Sequence, residues 1–185
     1  MSSQQAKKFD VLLTKEPGAT ALGTKVREIV HHQDIPLCEK AQYLLFAADR
    51  AQHFAELIIP NLKAKKLIIS DRMADSSLAY QGYGNGLELE MIQTINRWTM
   101  QSTVPDITIF VRVPVAIALE RAKKRGALSA YEKKEPFLHN VAHGFEELYK
   151  NRNDVIIVNG TETQEALSYN VFNAIEQWIH TKKLL

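Results

Sequence analysis

Apolar positions along the chain follow two alternating patterns. Short continuous apolar runs at Phe9–Thr14, Leu67–Ile69, Ile107–Val113 and Val155–Val158 predict strands. Turn formers bound them: Glu16-Pro17-Gly18 after the first, Pro105-Asp106 and Pro114 around the third, Asn159-Gly160 after the fourth. Between these runs apolar residues recur at helical spacing. Leu44, Ala47, Ala48, Ala51, Phe54, Ala55 and Ile58 mark one face of a long helix opened by Pro36. Further helices are predicted over Thr24–His32, Leu87–Gln101, Val115–Arg125 with Gly126 as its cap, and Tyr131–Lys150. A last helix runs over Glu162–His180 with Thr161 as its cap.

Strands alternating with helices imply a parallel sheet covered on both faces. The runs at Leu67, Ile107 and Val155 are short and apolar, as fully buried strands should be. No internal repeat, linker or low-complexity tract interrupts the pattern, so residues 1–185 read as a single α/β domain.

Composition adds exclusions more than identity. The chain has 185 residues, 45% of them hydrophobic, and a formal net charge of +2. Basic residues cluster only locally, over Arg121–Arg125 and at Lys133-Lys134. Such clusters suit a phosphate-bearing small molecule better than the broad basic face that nucleic acid requires. Cys38 is the only cysteine, which excludes an intramolecular disulfide and a multi-cysteine metal site. No apolar run approaches the ~20 residues of a membrane span. The polar start Met-Ser-Ser-Gln-Gln-Ala-Lys-Lys lacks a secretory signal, and a cytoplasmic location is expected.

Chemistry is expected beyond the carboxyl ends of the strands, where open parallel sheets bind ligands. Lys15-Glu16-Pro17-Gly18 follows the first strand and Asp71-Arg72 follows the second. An acid at such a position can hold a metal and an arginine can hold a phosphate. The plainer reading of Asp71-Arg72 is a local ion pair or helix cap. In the long helix, Phe46 and Arg50 are one turn apart and share a face. Together they can sandwich a planar base and hydrogen-bond its edge. The plainer alternative makes Phe46 core and pairs Arg50 with Asp49 or a neighbouring acid. His53 reads as a packing residue, since no second ligand stands at metal spacing. Basic residues of Glu120–Gly126 either complement the helix dipole or form a cationic lid over polyphosphate. Gly82-Tyr83-Gly84-Asn85-Gly86 is glycine-rich, but no strand immediately precedes it and no Lys-Ser/Thr follows, so it reads as a loop between helices.

These residues together resemble the thymidylate kinases. Lys15-Glu16-Pro17-Gly18 is similar to their T-R-E-P-G element, and Phe46 to His53 to their F-A-A-D-R-x-x-H helix. Ser70 to Gly82 resembles their S-D-R-Y-x-D-S-S-x-A-Y-Q-G signature. Pro105-Asp106, Val113-Pro114 and Leu119-Glu120-Arg121 resemble their P-D-x-T, V-x-P and A-L-E-R segments. The match runs in order from Asp10 to Leu148.

The resemblance implies a P-loop-kinase-like three-layer α/β/α fold with a parallel sheet. It implies transfer of the γ-phosphoryl group of ATP to dTMP, giving dTDP, with Mg²⁺. It assigns Asp71, Arg72 and Lys15 to catalysis, with Asp71 at the metal or its water shell. Glu16, Phe46, Arg50, Arg72, Ser76, Ser77, Tyr80 and Gln81 are implied to form the dTMP site. Phe46 stacks on thymine, Arg50 reaches the base edge, Arg72 holds the phosphate, and Tyr80 crowds the 2′ position. Arg121 and Arg125 belong to the ATP side and lid. Partners are nucleotides and a second copy of the chain, with neither nucleic acid nor membrane involved.

Departures from the family pattern fall mostly on the donor side. No G-x-x-x-x-G-K-[ST] occurs in the 185 residues. Ser2 to Lys8 reads as the tail of a helix, because a crossover needs roughly ten residues. The family's first strand and phosphate loop are therefore expected to be missing. Lys15 stands for Arg, Ala19 for the second Gly, Met73 for an aromatic and Arg112 for Asp. Leu128-Ser129-Ala130-Tyr131-Glu132 stands where L-D-R-I-E is typical, and Asn140 and Ala142 replace basic residues. Two alternatives follow: a dTMP kinase, or a non-catalytic, N-terminally truncated relative retaining a dTMP half-site. Without the loop's N–H groups and Lys the β- and γ-phosphates lose their cradle, so negligible turnover is expected of these residues alone.

Overall fold

The computed structural model describes residues 10–32, 35–126, 131 and 134–182. The expectations for Ser2–Lys8, Phe9, Lys133 and most of the lid segment (Leu128, Ser129, Ala130, Glu132) fall outside them. The elements are β1 (Val11–Lys15), α1 (Ala21–His32), α2 (Glu39–His53), α3 (Ile59–Lys63), β2 (Leu67–Asp71), α4 (Ala74–Ser77) and α5 (Leu89–Thr99). They continue with β3 (Thr108–Arg112), α6 (Val115–Arg125), α7 (Glu135–Tyr149), β4 (Val155–Asn159) and α8 (Gln164–Thr181). Contacts gather these into two units. One comprises the described residues of Lys8–Val104 with Pro136–Leu148; the other holds those of Pro105–Glu135 with Tyr149–Leu185.

Every strand pairing among the described residues is parallel, as the βα alternation predicts. In the first unit β1 pairs with β2 in the register Val11↔Leu67 to Lys15↔Asp71. In the second β3 pairs with β4 from Thr108↔Val155 to Arg112↔Asn159. The expectation that the runs at Leu67, Ile107 and Val155 are fully buried fails, since Leu67, Ile69, Val111 and Ile157 are exposed. Val11, Leu13, Leu67 and Ile69 lie on one exposed face of the first ladder, with Leu13 at 72% exposure. Within that unit the covered positions are the alternate ones. Ile68 packs on the buried cluster of Phe54, Ile58 and Met100. Period-2 alternation sends neighbouring residues to opposite faces, so an all-apolar run does not by itself guarantee two covers.

Several helix ends move from their expected places for local reasons. α1 begins at Ala21, ahead of the expected start at Thr24, because Thr20 caps it: its Oγ1 accepts from Gly23 N at 2.9 Å and its carbonyl accepts from Thr24 N. Pro36 does not open α2, which begins at Glu39 after Cys38 in extended conformation. Thr163 caps α8, accepting from Ala166 N at 3.3 Å, in place of the expected Thr161. Thr161 instead donates to Asn159 Oδ1.

The helical run beginning with α2 continues through a wide π-type turn at Phe54–Ile58 into α3. Pro60 lies in the first turn of α3 and has no N–H. Ile59 N reaches back to Phe54 O, five residues away, which shifts the hydrogen-bond register just ahead of the proline. The glycine-rich stretch after Ser77 is also no simple loop. Leu78–Gly84 forms a second π-type segment that extends α4. Gly84 and Gly144 allow that segment to lie against α7, where a Cβ at Gly84 would be 2.5 Å from the Phe137 ring.

Candidate nucleotide site

The site grows from the carboxyl ends of β1 and β2. Parallel pairing sets Lys15 directly beside Asp71, so the two strand ends carry opposite charges side by side. Both residues are exposed. The chain then turns through Glu16-Pro17-Gly18, with a cis peptide between Glu16 and Pro17. Three contacts hold this turn. Glu16 N donates to Asp71 O at 3.0 Å, Arg27 Nη1 donates to Pro17 O at 3.1 Å, and Gly18 N donates to Asp49 Oδ1 at 3.3 Å. Gly18 has φ 110°, a conformation open to glycine at little cost.

Arg50 is the centre of a buried polar network. Its Nε donates to Glu16 Oε2 at 2.8 Å, Nη1 to Asn96 Oδ1 at 2.7 Å, and Nη2 to Ser77 Oγ at 3.1 Å. The Glu16 carboxylate takes a second bond from the other side, with His53 Nδ1 at 3.0 Å from Oε1. A carboxylate only accepts, so His53 Nδ1 carries the proton; in a neutral ring Nε2 then accepts from Thr14 Oγ1 at 2.7 Å. The plainer reading of Arg50, a pairing with a neighbouring acid, is met by Glu16. His53 is fully buried and ties β1 to α2, in keeping with its expected packing role.

Asp49 lies beside this network and is 1% exposed. Its Oδ2 has no hydrogen-bond partner among the described residues. Burial pushes its carboxyl up from the usual carboxylate range, opposed by the Gly18 N–H and reinforced by the Glu16 charge. Gly23 makes room for it: a Cβ there would stand 2.2 Å from Asp49 Oδ1.

Arg72 follows β2 with φ 67°, a left-handed conformation that costs a non-glycine residue about 1–2 kcal/mol. Its guanidinium lies 5.1 Å from the Tyr80 ring centre, and Nη2 donates to the Tyr80 hydroxyl at 3.4 Å. Ser70 Oγ donates to the Arg72 carbonyl at 2.8 Å. Tyr80 is edge-on to Phe137 and Phe145 of α7, at 6.0 and 6.3 Å between ring centres.

The sequence-predicted residues thus fall into three groups. Glu16, Arg50 and Ser77 meet in one network; Lys15 adjoins Asp71; Arg72 adjoins Tyr80. Phe46 is half-buried on α2, one turn before Arg50, while Ser76 is half-buried and Gln81 buried in the signature segment. Arg121 and Arg125 belong to the second unit. There Arg121 donates to the carbonyls of Gly160 (2.6 Å) and Thr161 (3.3 Å), just past the end of β4.

Sequence reasoning missed Asn96 and Tyr43. Asn96 Oδ1 accepts from both Arg50 and the Tyr43 hydroxyl, the latter at 3.1 Å. The Tyr43 hydroxyl also lies 3.0 Å from Ile92 O. Burial pushes this phenol up to about 12. The one available signal was position. Asn96 interrupts the apolar stripe of its helix, and a buried polar side chain needs partners.

Among the described residues no group of three or more His, Cys, Asp or Glu side chains could hold a metal. A single exposed carboxylate such as Asp71 fits Mg²⁺, which keeps several waters and takes the rest of its shell from substrate phosphates.

Comparison with known proteins gives one consistent result. A family model described as thymidylate kinase matches residues 2–171. The chain is 34% identical to the thymidylate kinase of Halothermothrix orenii, over 91% of this chain and 83% of that protein. It is 37% identical to that of Kosmotoga olearia, over 88% and 79%. The crystal structure of thymidylate kinase from Ehrlichia chaffeensis superposes with a TM-score of 0.72 at 28% identity, covering 90% of this chain and 80% of that one.

Proposed function

Because this chain belongs to the thymidylate kinase family of P-loop-like nucleoside-monophosphate kinases, we propose that it binds dTMP and accepts onto it the γ-phosphoryl group of ATP. One observation carries the acceptor assignment. Three segments far apart in sequence, the Glu16 turn, the Arg50 helix and the Ser77 signature, meet at one buried guanidinium.

The acceptor residues divide the work by chemistry. Arg50 is donor-only and held rigid, which suits a base edge that presents a carbonyl. Phe46, one turn away, offers a ring to stack on that base. Arg72 binds the dTMP phosphate, and its stacking on Tyr80 fixes the direction from which it approaches. Ser76, Ser77, Tyr80 and Gln81 line the nucleoside, with the Tyr80 ring disfavouring a 2′-hydroxyl. Lys15 adds positive charge for the transferring group, and Arg121 and Arg125 serve the ATP phosphates. Asp71 would hold Mg²⁺ directly or through water; the ion supplies charge neutralisation on the phosphates.

The reading extends to a homodimer in the cytoplasm. Exposed Leu44 on α2 and Met91 and Trp98 on α5 supply apolar surface for packing between copies. No helix among the described residues is long and apolar enough to cross a membrane.

Since no Gly-x-x-x-x-Gly-Lys-Ser/Thr run occurs within these 185 residues, the acceptor side is the direct test. Calorimetric titration with dTMP is expected to give a single saturable site. Arg50→Leu and Phe46→Ala, checked for native circular dichroism, are expected to lose it. A wild-type chain that binds no dTMP and forms no dTDP from ATP overturns the reading.

A further inference from the structure

Arg50 can read a base only if its guanidinium keeps one orientation. An arginine has five N–H donors. Glu16, Asn96 and Ser77 take one each, from Nε, Nη1 and Nη2. One N–H on each terminal nitrogen is left for a ligand. Glu16 fixes the root of the fork and Ser77 belongs to the segment assigned to the nucleoside. Among the described residues Asn96 alone anchors Nη1, and it comes from α5, outside every segment so far assigned to the nucleotide.

Asn96 is itself held on three sides. Its Nδ2 donates to Ala74 O at 3.3 Å, which sets which way the amide faces. Its Oδ1 therefore points at Arg50, where it meets Nη1 at 2.7 Å. The single Tyr43 hydroxyl proton is shared between this oxygen, at 3.1 Å, and Ile92 O, at 3.0 Å. Asn96 is 4% and Tyr43 3% exposed, so water does not compete for these bonds.

We propose that Asn96, held in place by Tyr43, is a positioning residue that gives the site its preference for a 4-oxo over a 4-amino pyrimidine. The inference rests on the acceptor role proposed for Arg50. An oriented guanidinium donates to a carbonyl, whereas an exocyclic amino group presents another donor and leaves the buried N–H groups unpaired. Sites built on such bonds discriminate by unpaired groups more than by shape. Without Asn96 the guanidinium keeps its bonds to Glu16 and Ser77 but loses the one that aims Nη1, so the donor that enforces that choice is no longer held in place.

The test measures binding of dTMP and dCMP to the full chain, in wild type, Asn96→Ala and Tyr43→Phe, with circular dichroism confirming the fold. Wild type is expected to prefer dTMP strongly. Asn96→Ala is expected to weaken dTMP by about tenfold or more while leaving dCMP nearly unchanged, so that the preference ratio collapses. Tyr43→Phe keeps the ring packing and removes only the hydroxyl; its ratio is expected to fall in the same direction by a smaller factor. It decides the question if Asn96→Ala does not fold. A purely structural role would weaken both nucleotides equally, and an unchanged ratio in the folded variants overturns the proposal. A wild type that binds neither nucleotide removes the acceptor reading itself, a result distinct from an unchanged ratio.

Discussion

Arg50 Nε and Glu16 Oε2 are joined across 2.8 Å with both side chains almost wholly removed from solvent. Such a pair gains stability only while both partners and their further hydrogen bonds are present. Glu16→Ala leaves a buried guanidinium uncompensated and removes the partner of His53 Nδ1. It is expected to destabilise the fold by about 3–5 kcal/mol. Adding Arg50→Leu should recover part of that loss, because the orphaned charge is gone, while dTMP binding stays abolished. Urea unfolding of the single and double variants measures this; equal stability of Glu16→Ala and wild type would contradict it.

How far this network was legible in the sequence depended on spacing. Phe46 and Arg50 share a face because helical periodicity is reliable, and Lys15 adjoins Asp71 because parallel strands end together. The pairing of Glu16 with Arg50 bridges 34 positions, and only the turn at Glu16-Pro17-Gly18 decides it. Asn96 shows in the sequence only as a break in an apolar stripe, because its side-chain partners lie 22, 46 and 53 positions away. Thr161 and Thr163 each stand before the last helix, and backbone geometry alone selects Thr163 as its cap. The strands were recognised as elements, but their second face was not, since an apolar run reports burial without saying what covers it.

Asp49 gives the fold a pH dependence of predictable sign. Burial raises its folded pKa above the unfolded value, so the native state binds more protons there. Stability is therefore expected to fall as pH rises from about 3.9, the unfolded value, through the raised folded value. Asp49→Asn keeps an oxygen for Gly18 N–H and cannot ionise. Its urea midpoint should vary less across that window than the wild type's. Parallel profiles for the two proteins would show that Asp49 does not carry the effect.

Arg72 holds a backbone conformation that favours glycine, with φ 67°. Arg72→Gly removes that strain, although glycine's extra freedom in the unfolded chain offsets part of the gain. Stability is expected to be unchanged or to rise by up to about 1 kcal/mol. Affinity for dTMP should nevertheless fall by at least tenfold, since a charge-assisted phosphate contact is lost. Thermal unfolding and dTMP titration read the two effects separately. A stable variant with undiminished dTMP affinity would remove Arg72 from the phosphate site.

Gly144 sets how closely α7 approaches the signature segment. A Cβ there would lie 2.7 Å from Tyr83 Cβ and Cγ, closer than packed atoms allow. Gly144→Ala must push α7 away from Tyr83 by some tenths of an ångström. The same helix carries Phe137 and Phe145, the two rings against Tyr80. Overpacking of this kind costs typically about 1–3 kcal/mol. The displacement should also reach Tyr80 and through it Arg72, so dTMP binding weakens although no ligand-contacting residue has changed. Tyr83→Ala in the same chain removes the clash and should restore part of the affinity, at the expense of a cavity. The double-mutant cycle is expected to give a coupling of about 0.5–3 kcal/mol. Additive losses in dTMP affinity would mean that the α7 contact does not position Tyr80.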